Sequence, residues 1–558
     1  MHFIGAFLSI VDNEIAPPLE GGSVGQDVGR AMSRRQLLNL IGLSAGGSFM
    51  YQAMHSLGFA AESPYAGPVK LSAAPAGASV VVLGAGIAGL VAAYELRRAG
   101  YRVQVIEYNA RPGGRNWTVG GGDLITELGG ETQTCAFEKG LYLNPGPWRL
   151  PHHHHAMLHY CKELGVRLEP FIQVNQNAWV HSRSAFGGKP QRFRAINADV
   201  RGHIAELLAK ASHQHLLDDD ITTEDQQKLL EALRFWGALN ADFRYLKGED
   251  SSARRGFDRD PGGGLSGPPV WSEPTKLQDL TSPAFWGALV LFELYEMQSP
   301  MFQPVGGMGQ VGLAFGRALE GDIRYQCRVV EISQDDHSVS VAYEDQAAQG
   351  QKRVAQADWC VCTIPLSILG QIPLKVGAKM TEAIGAVPYA SAVKIGLQFK
   401  RRFWEQDDYI FGGISFTDLP IAQISYPSHG MFGDGKGVLL GGYFYGGDAM
   451  EFTGMPASDR VTKAVEYGRA IHPQYPAEFD NGISVAWHRV PGAMGCFGIW
   501  SEAARKRHYN NLCELEGRIV LAGEHASYLP GWQEGAATSA IDAITRLHRK
   551  AVSAGGVA

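Results

Sequence analysis

The sequence predicts an α/β fold, α+β overall, and three observations carry that expectation. From Ser79 to Glu107 a β-branched run leads through Gly84-x-Gly86-x-x-Gly89 into an alanine-rich amphipathic helix, a second strand and an acid, which together make one complete βαβ unit. Strand and helix patterns return at 303–319, 328–332, 357–369 and 518–544. Between Lys394 and Tyr445 apolar residues alternate with a period of two, as in half-buried antiparallel strands.

Bulk properties bound the answer. At 558 residues the chain is too long for one hydrophobic core and suits two or three intertwined domains. Hydrophobic residues make up 45% and charged residues 19%, a globular balance without a disordered bias. A net charge of −6 gives no basis for a nucleic-acid partner or an anionic membrane. Of 7 cysteines only Cys360 and Cys362 lie close together, and C-x-C on a strand places both thiols on one apolar face. No zinc-type spacing occurs, and no metal is expected.

Residues 1–76 read as a leader and linker. Ser33-Arg34-Arg35-Gln36-Leu37-Leu38 resembles a twin-arginine export motif, and the apolar run 37–61 that follows is too weak to be a transmembrane helix. Stable membrane insertion is therefore not expected. A functional leader would make the protein periplasmic or secreted; otherwise, with Arg34 and Arg35 opening a surface helix, it would be cytoplasmic. The Pro/Ala/Gly stretch 64–78 is the expected link into the fold.

Each part of the βαβ unit has a physical reason. Gly84 permits the tight turn, Gly86 lets backbone N–H groups approach a pyrophosphate at the positive end of the helix, and Gly89 lets helix and strand pack closely. Glu107, closing the second strand, is placed to accept both hydroxyls of an adenosine ribose. A 2′-phosphate would be repelled there, which disfavours NADP.

Beyond Glu107 comes Arg111-Pro112-Gly113-Gly114-Arg115, and here the sequence resembles the flavin-dependent amine oxidase family, in which an acid is followed shortly by R-x-G-G-R. That resemblance implies FAD rather than NAD, with Gly113 and Gly114 giving close backbone approach and Arg111 and Arg115 adding positive charge near the pyrophosphate. Four further stretches are similar to family segments. Residues 303–319 match a P-x-G-G-M segment entering a helix, 328–332 a strand whose backbone at Val329 meets the adenine edge, and 357–369 the next strand and turn. Residues 518–544 match the C-terminal flavin segment, with Gly523-Glu524 and Gly531-Trp532 ahead of a small-residue helix. The implied fold is a discontinuous Rossmann-like FAD-binding domain from 77–165, 301–374 and 493–558. With it come a helical, substrate-access region at 166–300 and an antiparallel-sheet substrate domain at 375–492.

In the helical region Leu207, Leu208 and Lys210 fall in one candidate helix and Leu229, Leu230, Leu233 and Trp236 in another, with Thr223-x-x-Gln226 as a capping box for the second. Residues 248–276 are Gly/Pro-rich and polar, either a mobile loop near an entrance or a variable excursion. Aromatic residues Trp236, Phe285, Trp286 and Phe302 suit either core or a wall for large apolar side chains.

An α-amino acid needs an anchoring cation, an acceptor for its amine and an apolar place for its Cα–H. Gly146-Pro147-Trp148-Arg149-Leu150-Pro151 resembles the G-P-x-R-L-P segment of bacterial L-amino acid oxidases, where the arginine grips the carboxylate. By the same resemblance Tyr426 reaches that carboxylate, the Gly531 carbonyl accepts from the amine, Trp532 forms an apolar wall, and Lys394 holds a water against the flavin. Residues 132–144 read as an insertion relative to the family. His152–His155 invite a metal reading. On a helix starting after Pro151, however, only His152, His155 and His159 share a face and no carboxylate completes a set, so a channel or packing role is expected.

The implied activity is FAD-dependent oxidative deamination of L-amino acids to 2-oxo acids, with ammonia and hydrogen peroxide released. Hydride passes from Cα to flavin N5, with O₂ as acceptor. The family also implies a homodimer. An amino acid 2-monooxygenase yielding an amide, a plain amine oxidase, and a flavin-bound protein without turnover stay open at this point.

Overall fold

The β-branched run Ser79–Leu83 is buried from Val80 onward, and a strand buried on both faces needs parallel neighbours covered by helices. In the computed structural model, which describes residues 63–130, 132–217, 221–265, 267–282 and 285–555, it has them. Six strands line up in the order Ile323–Arg324, Arg102–Ile106, Ser79–Leu83, Trp359–Cys362, Ile519–Leu521 and Leu515–Glu516, all parallel except the last. Cys360 and Cys362 pair with Val81 and Leu83 and sit in one apolar cluster, as C-x-C on a strand requires. The helix Ile87–Arg98 lies on this sheet and packs against the long helix Gln533–Gly555, with Ala92, Ala93, Ala537 and Ala540 in one buried cluster. The twin-arginine-like segment lies outside the described residues, among which no helix is long and apolar enough to cross a membrane.

The period-two stretch forms the middle of a seven-stranded sheet. Its long members are Gly437–Tyr445, Ala392–Phe399 and Phe479–Ala486, paired antiparallel. The two faces divide the side chains. Leu439, Phe444, Val393, Ile395, Ile424 and Tyr426 enter one buried cluster, and Val438, Leu440, Tyr443 and Tyr445 enter another on the opposite side. A third, three-stranded antiparallel sheet, Cys327–Gln334 with Val339–Asp345 and Gln351–Ala357, carries a bulge between Val329 and Glu331.

The helical region departs from the sequence reading in three ways. Its first helix spans Phe193–His213, and its buried face is Phe193, Ile196, Ala205 and Ala209, so Leu207 and Leu208 point outward. Its second, Thr223–Gly237, is capped one residue earlier than expected: Thr222 Oγ1 accepts from the Asp225 N–H. The stretch 248–276 is not a structureless loop. It opens with a helix, Glu249–Arg255, because Arg255 is drawn onto Asp199, a buried carboxylate that also accepts from the Tyr245 hydroxyl at 2.7 Å and the Thr275 N–H at 2.9 Å. Residues 258–265, beyond the helix, are exposed, Leu265 completely.

Candidate active site

Two glycine turns stack at the edge of the parallel sheet. Gly84, at φ +97°, turns the chain out of its strand, and Gly86 caps the following helix. Gly86 forms an isolated parallel bridge with Gly113, whose N–H donates to Ala85 O at 2.7 Å. A Cβ on Gly89 would lie 1.9 Å from the Gly84 carbonyl oxygen, whereas one on Gly86 would meet nothing within 4 Å. The space before Gly86 belongs to a cavity of about 850 Å³ bordered by Gly84, Glu107, Arg111, Gly114, Arg115, Val329 and Thr363.

Glu107 is held by its neighbours. Its Oε2 accepts from the Ala85 N–H at 2.5 Å and its Oε1 from the Asn109 N–H at 2.7 Å and the Asn109 amide at 2.6 Å, which leaves a lone pair on Oε2 for a further donor. Burial raises its pKa, and these bonds oppose the shift. Arg111 lies over the Trp117 ring at 4.3 Å, and burial lowers its pKa to about 10. Arg115 borders both cavities and is also tied to the C-terminal segment. Its Nη1 donates to Cys496 O at 2.7 Å and to Glu524 Oε1 at 2.8 Å, which fastens the glycine turn to that segment. Glu524 also accepts from the N–H groups of Gly498 and Gly531 at 3.3 Å.

A second cavity of about 1100 Å³ shares Gly86, Arg115, Thr363 and Trp487 with the first, so the two are neighbours along one track. It is lined by Trp148, Arg149, Lys394, Tyr443, Tyr445, Cys496, Phe497, Gly531 and Trp532. Trp487 Nε1 donates to Pro145 O at 2.7 Å and holds the Gly146–Arg149 segment against the sheet. A Cβ on Gly146 would lie 1.9 Å from Arg115 O, so the two motifs touch backbone to backbone.

Arg149 is 2% exposed, with its guanidinium 4.7 Å from the Trp148 ring and 5.7 Å from Trp532, and Nη2 donates to Met297 Sδ at 2.9 Å. Lys394 faces Tyr443 in register across the sheet. Its Nζ donates to Gly146 O and sits 4.3 Å from the Tyr443 ring and 4.6 Å from Trp148. Burial lowers the Lys394 pKa from 10.5 to about 7; Cys496 opposes that shift and the nearby Arg149 charge adds to it. The Tyr445 hydroxyl donates to that of Tyr443.

Sequence reasoning placed Arg149, Lys394, Gly531 and Trp532 in one pocket, and the structure brings those four together. Tyr426 is not with them. Strand parity puts it on the same face as Ile424, away from the cavity, where its hydroxyl is hydrogen-bonded to Ser415 Oγ at 2.7 Å and His472 Nε2 at 2.6 Å. Tyr443 and Tyr445, two apart on one strand and signalled by the alternation in Gly442-Tyr443-Phe444-Tyr445-Gly446, line the cavity instead. Tyr426→Phe should therefore cost about 1–2 kcal/mol of stability in denaturant unfolding and leave KM unchanged. A tenfold rise in KM would return Tyr426 to the site.

The histidine run also differs from expectation. The helix begins only at His155, with His154 as its cap, so the helical-face argument does not apply to His152–His154. His153 Nε2 and His154 Nε2 both contact Glu296 Oε2 at 3.0 Å, and all three residues are buried. Burial would raise the Glu296 pKa, but these bonds hold it down at about 2. The His154 ring meets Trp532 edge-on, with centroids 4.9 Å apart.

Residues 87–547 match the model of the flavin-containing amine oxidoreductases. The chain belongs to that family. It is 30% identical to an L-amino acid oxidase of Bothrops pictus over 486 residues, 84% of this chain and 90% of that one. An L-amino-acid oxidase of Bothrops pauloensis is 29% identical over 486 residues, covering 84% and 89%. Among solved structures, putrescine oxidase bound to putrescine superposes with a TM-score of 0.55 at 17% identity, covering 86% of this chain and 98% of that one. Cyclohexylamine oxidase from Brevibacterium oxydans gives 0.55 at 15% identity, covering 85% and 99%. FAD is the cofactor of this fold, and the residues fit it. The open space before Gly86 suits a pyrophosphate, Glu107 a ribose, and the adjoining cavities a dinucleotide with a substrate beyond it.

Proposed function

We propose that this flavoprotein catalyses the oxidative deamination of L-amino acids to 2-oxo acids, releasing ammonia and hydrogen peroxide. One observation carries the reading: a buried guanidinium, Arg149, stands in the wall of the cavity between Trp148 and Trp532. Oxidation of a simple amine has no use for a buried cation, whereas a carboxylate-bearing amine needs one to fix its orientation. The names of the relatives point the same way.

Arg149 binds the substrate carboxylate, and the rings of Trp148, Tyr443, Tyr445 and Phe497 take up the apolar part of the side chain and exclude water. The Gly531 carbonyl and the Trp532 ring surround the amine. Lys394 Nζ, neutral above about pH 7, accepts the proton that the substrate ammonium must lose before its lone pair can assist departure of the Cα hydride. FAD, held at the turns of Gly86 and Gly113 and by Glu107, would supply the acceptor for that hydride and the route for its electrons to O₂. Released imino acid then hydrolyses to the oxo acid and ammonia.

The purified holoenzyme should yield peroxide and a 2-oxo acid from L- but not D-amino acids. An amide product would instead indicate a 2-monooxygenase, and turnover of amines without a carboxylate a plain amine oxidase. Lys394 gives a second test. As its proton leaves, kcat/KM should rise through about pH 7, and Lys394→Met should lack that limb. A limb preserved in the variant would assign the proton to another group.

A further inference from the structure

We propose that His153, His154 and Glu296 form a binding site for one divalent transition-metal ion of the zinc class, set in the wall behind Trp532. The three residues offer two imidazole nitrogens and a carboxylate oxygen, all within 4.8 Å of one another. Metal–nitrogen and metal–oxygen bonds of about 2.0–2.2 Å place neighbouring ligand atoms about 3–3.5 Å apart, close to the 3.0 Å contacts found here. Two imidazoles with one carboxylate is a ligand set that zinc, cobalt and nickel accept.

The polar atom left over on the carboxylate points to the same occupant. Glu296 Oε1 is buried with no hydrogen-bond partner among the described residues. A buried carboxylate oxygen without a donor is costly, and an ion between the two imidazoles would take it as a second bond. The ligands come from two rigid supports. His153 and His154 form the turn between the strand Leu150–Pro151 and the helix His155–Glu163, whose first N–H groups, at Ala156 and Met157, donate to Glu534 at 2.9 Å. Glu296 lies in the one-turn helix Tyr295–Met297. The ion would clamp these supports beside Arg149, which adjoins the strand on one side and donates to Met297 on the other.

Exposed His155 and half-buried His159, four apart on the helix, are a separate place where a metal could attach, so the test is made in a His155→Gln/His159→Gln background. Full-length holoenzyme of this background, made without a polyhistidine tag, is stripped with chelator and titrated with Zn²⁺ by calorimetry. One equivalent should bind, and Glu296→Gln or His153→Gln/His154→Gln should weaken it at least about 100-fold while the flavin spectrum is unchanged. X-ray absorption at the zinc edge should show two imidazoles. Should the ligand variants not fold, that spectrum decides alone. Absence of stoichiometric zinc in the background protein, unchanged affinity in folded Glu296→Gln, or zinc without imidazole scattering would each overturn the site.

Discussion

Replacing Arg149 by methionine should lower kcat/KM for L-amino acids by about 30- to 1000-fold, equivalent to about 2–4 kcal/mol of lost charge-assisted bonding. The expectation rests on burial. With Arg149 only 2% exposed, no water takes over its role toward a carboxylate when the guanidinium is removed. The loss should appear mainly in KM, because carboxylate anchoring acts on ground state and transition state alike. Arg149→Lys should recover little, since a point charge cannot reproduce a planar fork and has a different fit between Trp148 and Trp532. Steady-state kinetics on L-phenylalanine check this, and wild-type values in Arg149→Met would sink the assignment.

Gly89→Ala should abolish flavin retention and destabilise the fold by at least about 3 kcal/mol. The added Cβ would lie 1.9 Å from the Gly84 carbonyl oxygen, a backbone atom that no rotamer change can move away. Relief requires the helix Ile87–Arg98 to lift from its strand, which pulls its N-terminus from the pyrophosphate position. Gly86→Ala is the informative companion. Its Cβ meets no protein atom within 4 Å, so the apoprotein should melt like wild type yet bind FAD weakly, because the methyl enters the space the cofactor needs. Flavin absorbance and thermal unfolding of apoprotein distinguish the two. Full flavin content in Gly89→Ala with an unchanged Tm would show that the turn can relax.

How far the sequence could be read depends on the distance over which each feature is determined. Val80 to Glu107 is legible because every part, from β-branched run to glycine spacing to terminal acid, is constrained by residues a few positions away. Arg149 and Trp532 are legible through short motifs whose residues are tied backbone to backbone, as at Gly146 and Arg115. Tyr426 misleads because the face a residue takes is set by its strand's pairing: one step along, Ser425 is in register with Leu440, which faces the other way. Thr222 displaces Thr223 as the cap because the helix start is set by which side chain reaches the Asp225 N–H. Glu296 lies 143 positions from His153, and no spacing rule connects them until the strand Met301–Pro304 pairs with Leu150–Pro151.

The parallel sheet draws on both ends of the described chain, and that order has a temporal meaning. A ribosome releases Ser79–Leu83 before Trp359–Cys362, and Ile519–Leu521, which pairs with the other edge of the latter, later still. Glu524, Gly531 and Trp532 follow it, so the cavity lacks one wall until they have emerged. The cavity is thus closed only after Trp532 has been made, and the nascent chain must keep the buried strand Trp359–Cys362 from pairing with other chains until its own later strand arrives.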